Sequence, residues 1–201
     1  KVVIDLFNTG QVFSMTARYD AAIAKYLSEG RVEMLALERV AVLRYGENPH
    51  QKGLLFRNPA ENQASGVVDA NKLQGKDMSF LNYFDADSVL AMLREFEEPS
   101  VVMVKHGNPC GFASDRSLSK AFEKAYECDP RSAFGVIIGL NRAVGAEIAA
   151  IIECEKMFVE IIVAPSFDPE ALEMLKKKPN IRLLAVGNLR KFGAGDFDLK
   201  K

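Results

Sequence analysis

Lys105 and His106 stand side by side where an apolar run, Ser100-Val-Val-Met-Val104, gives way to the turn-forming stretch Gly107-Asn-Pro-Cys-Gly111. An imidazole, with an ordinary pKa near ~6.5, is the side chain best suited to move a proton at neutral pH. The neighbouring ammonium supplies fixed positive charge that can stabilise a developing oxyanion. In an α/β sheet ligands gather beyond the carboxyl ends of strands, so a pair delivered there is positioned for chemistry. The bland reading, a surface lysine next to a satisfied loop histidine, loses ground to the dense Gly-Asn-Pro-Cys-Gly context.

A second constellation is Leu43-Arg-Tyr-Gly-Glu-Asn-Pro-His-Gln51. The planar guanidinium of Arg44 suits a phosphate or carboxylate, and Tyr45 offers a stacking face with a polar tip. Residue chemistry alone leaves open the structural reading, with Arg44 paired to an acid and Tyr45 in the core. Ser132-Ala-Phe-Gly135 forms a third group, in which Gly135 either lets backbone approach a ligand or starts a strand. Cys110 reads as structural, because no orienting Asn or Asp completes a nucleophilic pair with His106. Gly-x-x-x-x-Gly-Lys-Ser/Thr and Gly-x-Gly-x-x-Gly loops are both absent from the sequence, and Ala113 stands where a zinc deaminase needs its second cysteine.

Elements must hold these groups, and the apolar pattern says which. Three- and four-residue apolar spacing predicts an amphipathic helix over 11–29, ended by Gly30. Short extended runs follow at 53–57, 66–68 and 72–74. A helix capped by Asp85 or Asp87 then leads to a strand at 100–104, and helices near 117–128, 145–157 and 168–178 alternate with strands at 135–140, 159–164 and 181–186. Continuous apolar strands require cover on both faces, which predicts an α/β layered fold with a mainly parallel sheet.

Composition sets the outer limits. The 201 residues suffice for one compact domain plus an appendage, and 48% hydrophobic with 26% charged residues is a globular balance. A net charge of −1 excludes wholesale nucleic-acid binding, although residues 176–201 carry a local excess of +6. That excess reads as a solvated helix end and tail. No apolar run approaches the ~20 residues of a membrane span, and three irregularly spaced cysteines make neither a disulfide framework nor a metal knuckle. A cytoplasmic protein with reduced thiols and no metal is expected. The chain starts at Lys1 rather than Met, in apolar sequence, so it is expected to be a piece of something longer.

Five motifs in one order carry a resemblance: Leu43 to Gln51, Lys76-x-Met-Ser-Phe80 with Asp85-Ala-Asp87, Lys105-His-x-Asn-Pro-Cys-Gly111, Ser132-Ala-Phe-Gly135, and Ile161-Ile-Val-Ala-Pro165. Together they resemble the transformylase region of the bifunctional AICAR formyltransferase/IMP cyclohydrolase family. The resemblance runs from about Phe13 to Phe197. It implies that residues 1–40 are a helical junction and 41–201 the first of two cytidine-deaminase-like subdomains, with the second subdomain and the cyclohydrolase domain absent. The implied reaction is formyl transfer from 10-formyltetrahydrofolate to the 5-amino group of AICAR. His106 would transfer the proton, Lys105 would stabilise the transition state, and Arg44, Tyr45, Gly135 and Glu160 would hold the nucleotide. Leu81 departs from the family's Asn-Asn pair and leaves Asn82 alone. The resemblance also implies a homodimer and a folate half of the site supplied from elsewhere, and it leaves a non-catalytic ribotide-binding module as the alternative.

Overall fold

The computed structural model describes residues 6–58, 66–154 and 157–189, with side chains from residue 10 onward. The chain divides into two units, residues 1–41 with 54–62 and residues 42–53 with 63–201.

The N-terminal periodicity yields α1, Leu6–Leu27. It ends where Glu29 and Gly30 both enter the left-handed region, at φ of 53° and 76°, and Gly30 N donates to Lys25 O at 2.9 Å. This is the usual glycine stop, because only a residue without Cβ takes that conformation freely. Strands β1 (Glu38–Leu43) and β2 (Gly53–Arg57) pair as a two-stranded ribbon. The stretch expected to be extended at 66–68 is instead a single 3-10 turn, Val67–Asp69.

Beyond it the chain runs β3 (Asn71–Gln74), α2 (Phe80–Leu93), β4 (Ser100–Lys105), β5 (Asn108–Ser114), α3 (Leu118–Cys128), β6 (Val136–Leu140), α4 (Ala146–Cys154), β7 (Val159–Ala164), α5 (Pro169–Leu175) and β8 (Arg182–Ala185). The six strands β3 to β8 form one sheet in the order β3-β8-β7-β6-β4-β5. Only β6-β7 and β7-β8 are parallel; β3-β8, β6-β4 and β4-β5 are antiparallel. The sheet is therefore mixed, where the helix and strand rhythm predicts a mainly parallel one. The reason is local. Residues 108–111, read as part of a loop, enter β5 after a two-residue turn, and the hairpin sets β4 between β5 and β6 with reversed direction.

Alternation along each strand sends side chains to two covered faces. Val101 and Met103 join Phe122, Ile148, Ile162 and Leu175 beneath α3, α4 and α5. Val102 and Val104 join Val89, Leu90, Ile137 and Ile161 beneath α2. Helix α2 begins earlier than the expected Asp85 or Asp87 cap. Ser79 is its N-cap, its Oγ accepting from Asn82 N at 3.2 Å while Asn82 Oδ1 accepts from Ser79 N at 3.1 Å. This reciprocal pair is a capping box in which asparagine replaces the customary Glu or Gln.

Candidate functional site

Reversal of β4 has a geometric consequence. Its carboxyl end, carrying Lys105, lies beside the amino ends of β6, β7 and β8, because Val104 stands opposite Ile137 in an antiparallel pair. The N-terminus of α2 meets the same edge, and there a cleft of about 930 Å³ opens. It sits beyond the carboxyl end of β4, as expected, and at the opposite end of the three parallel strands. Arg44, Tyr45, Lys105, His106, Gly135 and Glu160 all line it.

Each is placed by an identifiable device. Lys105 closes β4, and its ammonium donates to Phe134 O at 2.8 Å, tying β4 to the residue just before Gly135. His106 and Gly107 form the whole β4-β5 turn, with φ of 54° and 72°. Two central residues at positive φ make a type I′ hairpin turn, whose twist matches the flanking strands. The imidazole is thereby held out at the tip, exposed to the cleft. Glycine at 107 is favoured for two reasons: its φ is left-handed, and a Cβ would stand 2.5 Å from Phe84 Cε1, so that ring would have to shift.

Gly135 also lies at positive φ, 73°, and donates its N–H to Phe158 O at 2.6 Å. Beside it the rings of Phe134 and Phe158 meet tilted, their centroids 5.2 Å apart. Glu160, on β7, accepts from Asn82 Nδ2 at 3.2 Å and lies 3.7 Å from an Arg182 guanidinium nitrogen. Arg182 in turn donates to Asp77 O from Nε and Nη2. Arg44 keeps its guanidinium exposed, with Cζ 5.5 Å from the centroid of the Tyr45 ring. A guanidinium exposed at the cleft has the planar donor fork that suits a phosphate or carboxylate.

Several lining residues lie outside the six site residues proposed from the sequence: Asn180 and Arg182, and also Lys76, Asn82 and Asp85, which fall within or beside the Lys76-x-Met-Ser-Phe80 and Asp85-Ala-Asp87 motif. Asp85, read as a helix cap, instead lies in the second turn of α2 and accepts from Gly107 N at 2.6 Å. Burial pushes its carboxyl above the ordinary 3.8, against the pull of the Gly107 N–H and of His106. The Ser79-x-x-Asn82 spacing was the available signal for Asn82. His50 is exposed and is not among the lining residues.

Cys110 is half-buried outside the cleft lining; its Sγ lies 3.4 Å from Met103 O, and burial pushes the thiol up. A protonated thiol of this kind is a poor nucleophile. Gly111, the last residue of the same motif, serves packing: a Cβ there would stand 2.0 Å from Ala125 O on α3. Among the described residues no group of His, Cys, Asp and Glu is arranged to hold a metal ion, and no helix is long and apolar enough to cross a membrane.

The family model for the AICARFT/IMPCHase bienzyme matches residues 8–201. The chain belongs to that family. It is 46% identical over 182 residues to the bifunctional purine biosynthesis protein PurH of Halalkalibacterium halodurans, covering 88% of this chain and 35% of that protein. Against the PurH proteins of Thermoanaerobacter sp. and Aquifex aeolicus identity is 44%, covering 95% of this chain and 37% and 38% of theirs. The chain thus spans little more than a third of the length of these family members.

Proposed function

We propose that this chain supplies the nucleotide-side half of an AICAR formyltransferase site. In this reading it is the first of two cytidine-deaminase-like subdomains of a cytoplasmic, homodimeric enzyme of purine synthesis. The observation that carries the reading is the convergence of Lys105, His106, Arg44, Tyr45, Gly135 and Glu160 on one cleft from separate segments of the chain.

The 5-amino group of AICAR is conjugated with the carboxamide and is a weak nucleophile, so its attack on a formyl carbon needs a proton removed and charge stabilised. His106 takes that proton as the new C–N bond forms, and returns it to N10 of the folate as the formyl C–N10 bond breaks and tetrahydrofolate leaves. The Lys105 ammonium, already at the cleft wall, holds the negative charge developing on the formyl oxygen. Arg44 meets the ribotide's anionic end and Tyr45 packs against it. Glu160, fixed by Asn82, accepts from ribotide hydroxyls or amide N–H groups. The Gly135 backbone lies where a side chain would obstruct the ribotide. The formyl donor, 10-formyltetrahydrofolate, draws most of its contacts from the second half of the enzyme.

The test compares His106→Ala with wild type in the protein of full family length. Formyl transfer is lost while AICAR binding, read by calorimetry, persists; near-wild-type turnover refutes the assignment. A ribotide-binding module without catalysis is the second reading, since Arg44, Tyr45, Gly135 and Glu160 line the cleft and would hold a ribotide whether or not a formyl donor is present. Calorimetry on the 201-residue chain separates the two. A module binds AICAR with no response to folate whatever half is added, whereas half an enzyme gains formyl transfer when the second half is supplied.

A further inference from the structure

We propose that Asp85 is a positioning residue that clamps the His106-Gly107 turn and so fixes the imidazole for formyl transfer, an inference that rests on the functional reading above. The contact is specific. Asp85 Oδ1 accepts the Gly107 N–H at 2.6 Å, a short bond between a carboxylate and the single backbone donor in the middle of the turn. The turn needs such a partner, because His106 is one of only two non-glycine residues at positive φ among the described residues. An L-residue held there persists only where its surroundings over-determine it.

Helix α2 supplies that determination twice, from consecutive residues. The Phe84 ring occupies the space over Gly107, and Asp85 binds its N–H. On the other strand of the hairpin Asn108 Nδ2 donates to His106 O at 3.0 Å, so the carbonyl and the N–H of the central His106–Gly107 peptide are both held. Asp85 has no competing duty in its helix. Ser79 and Asn82 already cap α2, and Asp85 is its sixth residue, past the turn where an acid favours the helix dipole. It is nonetheless half-buried and lines the cleft, a position that costs a carboxylate solvation. A residue kept at that cost, bonded to the one turn that presents the imidazole, controls where the imidazole points.

The experiment measures formyl transfer by the full-length protein with Asp85→Ala, Asp85→Asn and His106→Ala, alongside the Gly107 amide resonance of the chain by NMR. Loss of the clamp moves the imidazole, and misplacement on the scale of ~1 Å lowers turnover on the order of 10²-fold. Asp85→Ala is expected to show that fall in kcat with KM for AICAR changed less than about threefold, since the ribotide contacts lie elsewhere. Asp85→Asn, whose amide oxygen still accepts from Gly107, restores most of the turnover. A wild-type kcat for Asp85→Ala, in a protein where His106→Ala is inactive, overturns the clamp and leaves the functional reading standing. An active His106→Ala overturns the functional reading itself. Should Asp85→Ala fail to fold, the wild-type Gly107 amide decides: it shifts with pH as Asp85 titrates, and a pH-insensitive resonance sinks the proposal.

Discussion

Asn82 gives one N–H of its carboxamide to Glu160 Oε2 at 3.2 Å and uses its carbonyl oxygen to accept from Ser79 N at 3.1 Å. One buried side chain thus completes the cap of α2 and orients an acid in the cleft wall. Asn82→Ala removes both. Loss of a capping interaction costs roughly 1 kcal/mol of stability, read as a lower denaturant midpoint with unchanged slope. Freed from the amide, Glu160 turns toward Arg182, and under the proposed function AICAR affinity is expected to fall by about tenfold, on the order of one hydrogen bond to a charged group. A variant that lowers stability but binds AICAR as wild type does would leave Asn82 a cap and nothing more.

Lys105 presents a charge that geometry alone can separate from its bulk. Its Nζ donates to Phe134 O at 2.8 Å, so the side chain is extended across the cleft wall before any ligand arrives. Lys105→Met keeps the stem and removes the charge. Under the proposed mechanism kcat drops by about 10² to 10³, the range seen when one oxyanion donor is removed, with KM for AICAR nearly unchanged. Steady-state kinetics with AICAR varied at saturating formyl donor measure the split. A rise in KM with unaltered kcat would instead make Lys105 a ribotide ligand.

Two glycines carry packing that no site assay would reveal. A Cβ on Gly139 would meet Val89 Cγ1 at 2.0 Å, Leu93 Cδ1 at 2.8 Å and Val102 Cγ1 at 3.1 Å, so α2 lies directly on β6 there. On the other face a Cβ on Gly111 would stand 2.0 Å from the Ala125 carbonyl oxygen. Gly139→Ala meets side-chain tips that can partly give way, and overpacking of that kind costs about 1 to 3 kcal/mol. Gly111→Ala meets a helix backbone, which cannot, and is expected to be the more destabilising of the two. Thermal melts of the two variants test that order; equal melting temperatures would contradict the rigid seat of α3 on β5.

These contacts also explain which features were legible in the sequence. The strands at 100–104, 159–164 and 181–186 announced themselves through continuous apolar runs, because both sheet faces are covered. Lys105 and His106, singled out by residue type, both line the cleft. Sheet direction did not announce itself, since a two-residue His-Gly turn looks like a loop and yet reverses β5 against β4. The start of α2 is not legible from cap type, because Ser79, Asp85 and Asp87 are comparable cap residues and Asn82 is an unusual N3 partner. Asp85 and Arg182 were invisible as site residues because their roles depend on elements distant in sequence: Gly107 for the first, Glu160 and Asp77 for the second.

Acid titration should divide the carboxylates by sign. Asp115 accepts from Ser117 N at 2.9 Å and from Lys124 Nζ at 2.7 Å, and these bonds, led by the lysine, hold it below the ordinary 3.8. Its contribution is present above the unfolded value and is lost as pH falls through the depressed folded value. Asp85 behaves oppositely, since burial raises it above 3.8. Below the unfolded value both states are protonated and Asp85 contributes nothing. As pH rises through the window between 3.8 and its raised folded value, the unfolded carboxyl ionises while burial keeps the folded one protonated, so stability falls until the folded group ionises too. Asp85→Asn mimics the protonated acid, so it should melt higher than wild type at pH 7 and level with it at pH 3. Asp115→Asn should melt lower at pH 7 and converge on wild type in acid. Thermal unfolding of the three proteins across that range measures both curves, and an Asp85→Asn protein less stable than wild type at pH 7 would show that the charged bond to Gly107 outweighs the burial.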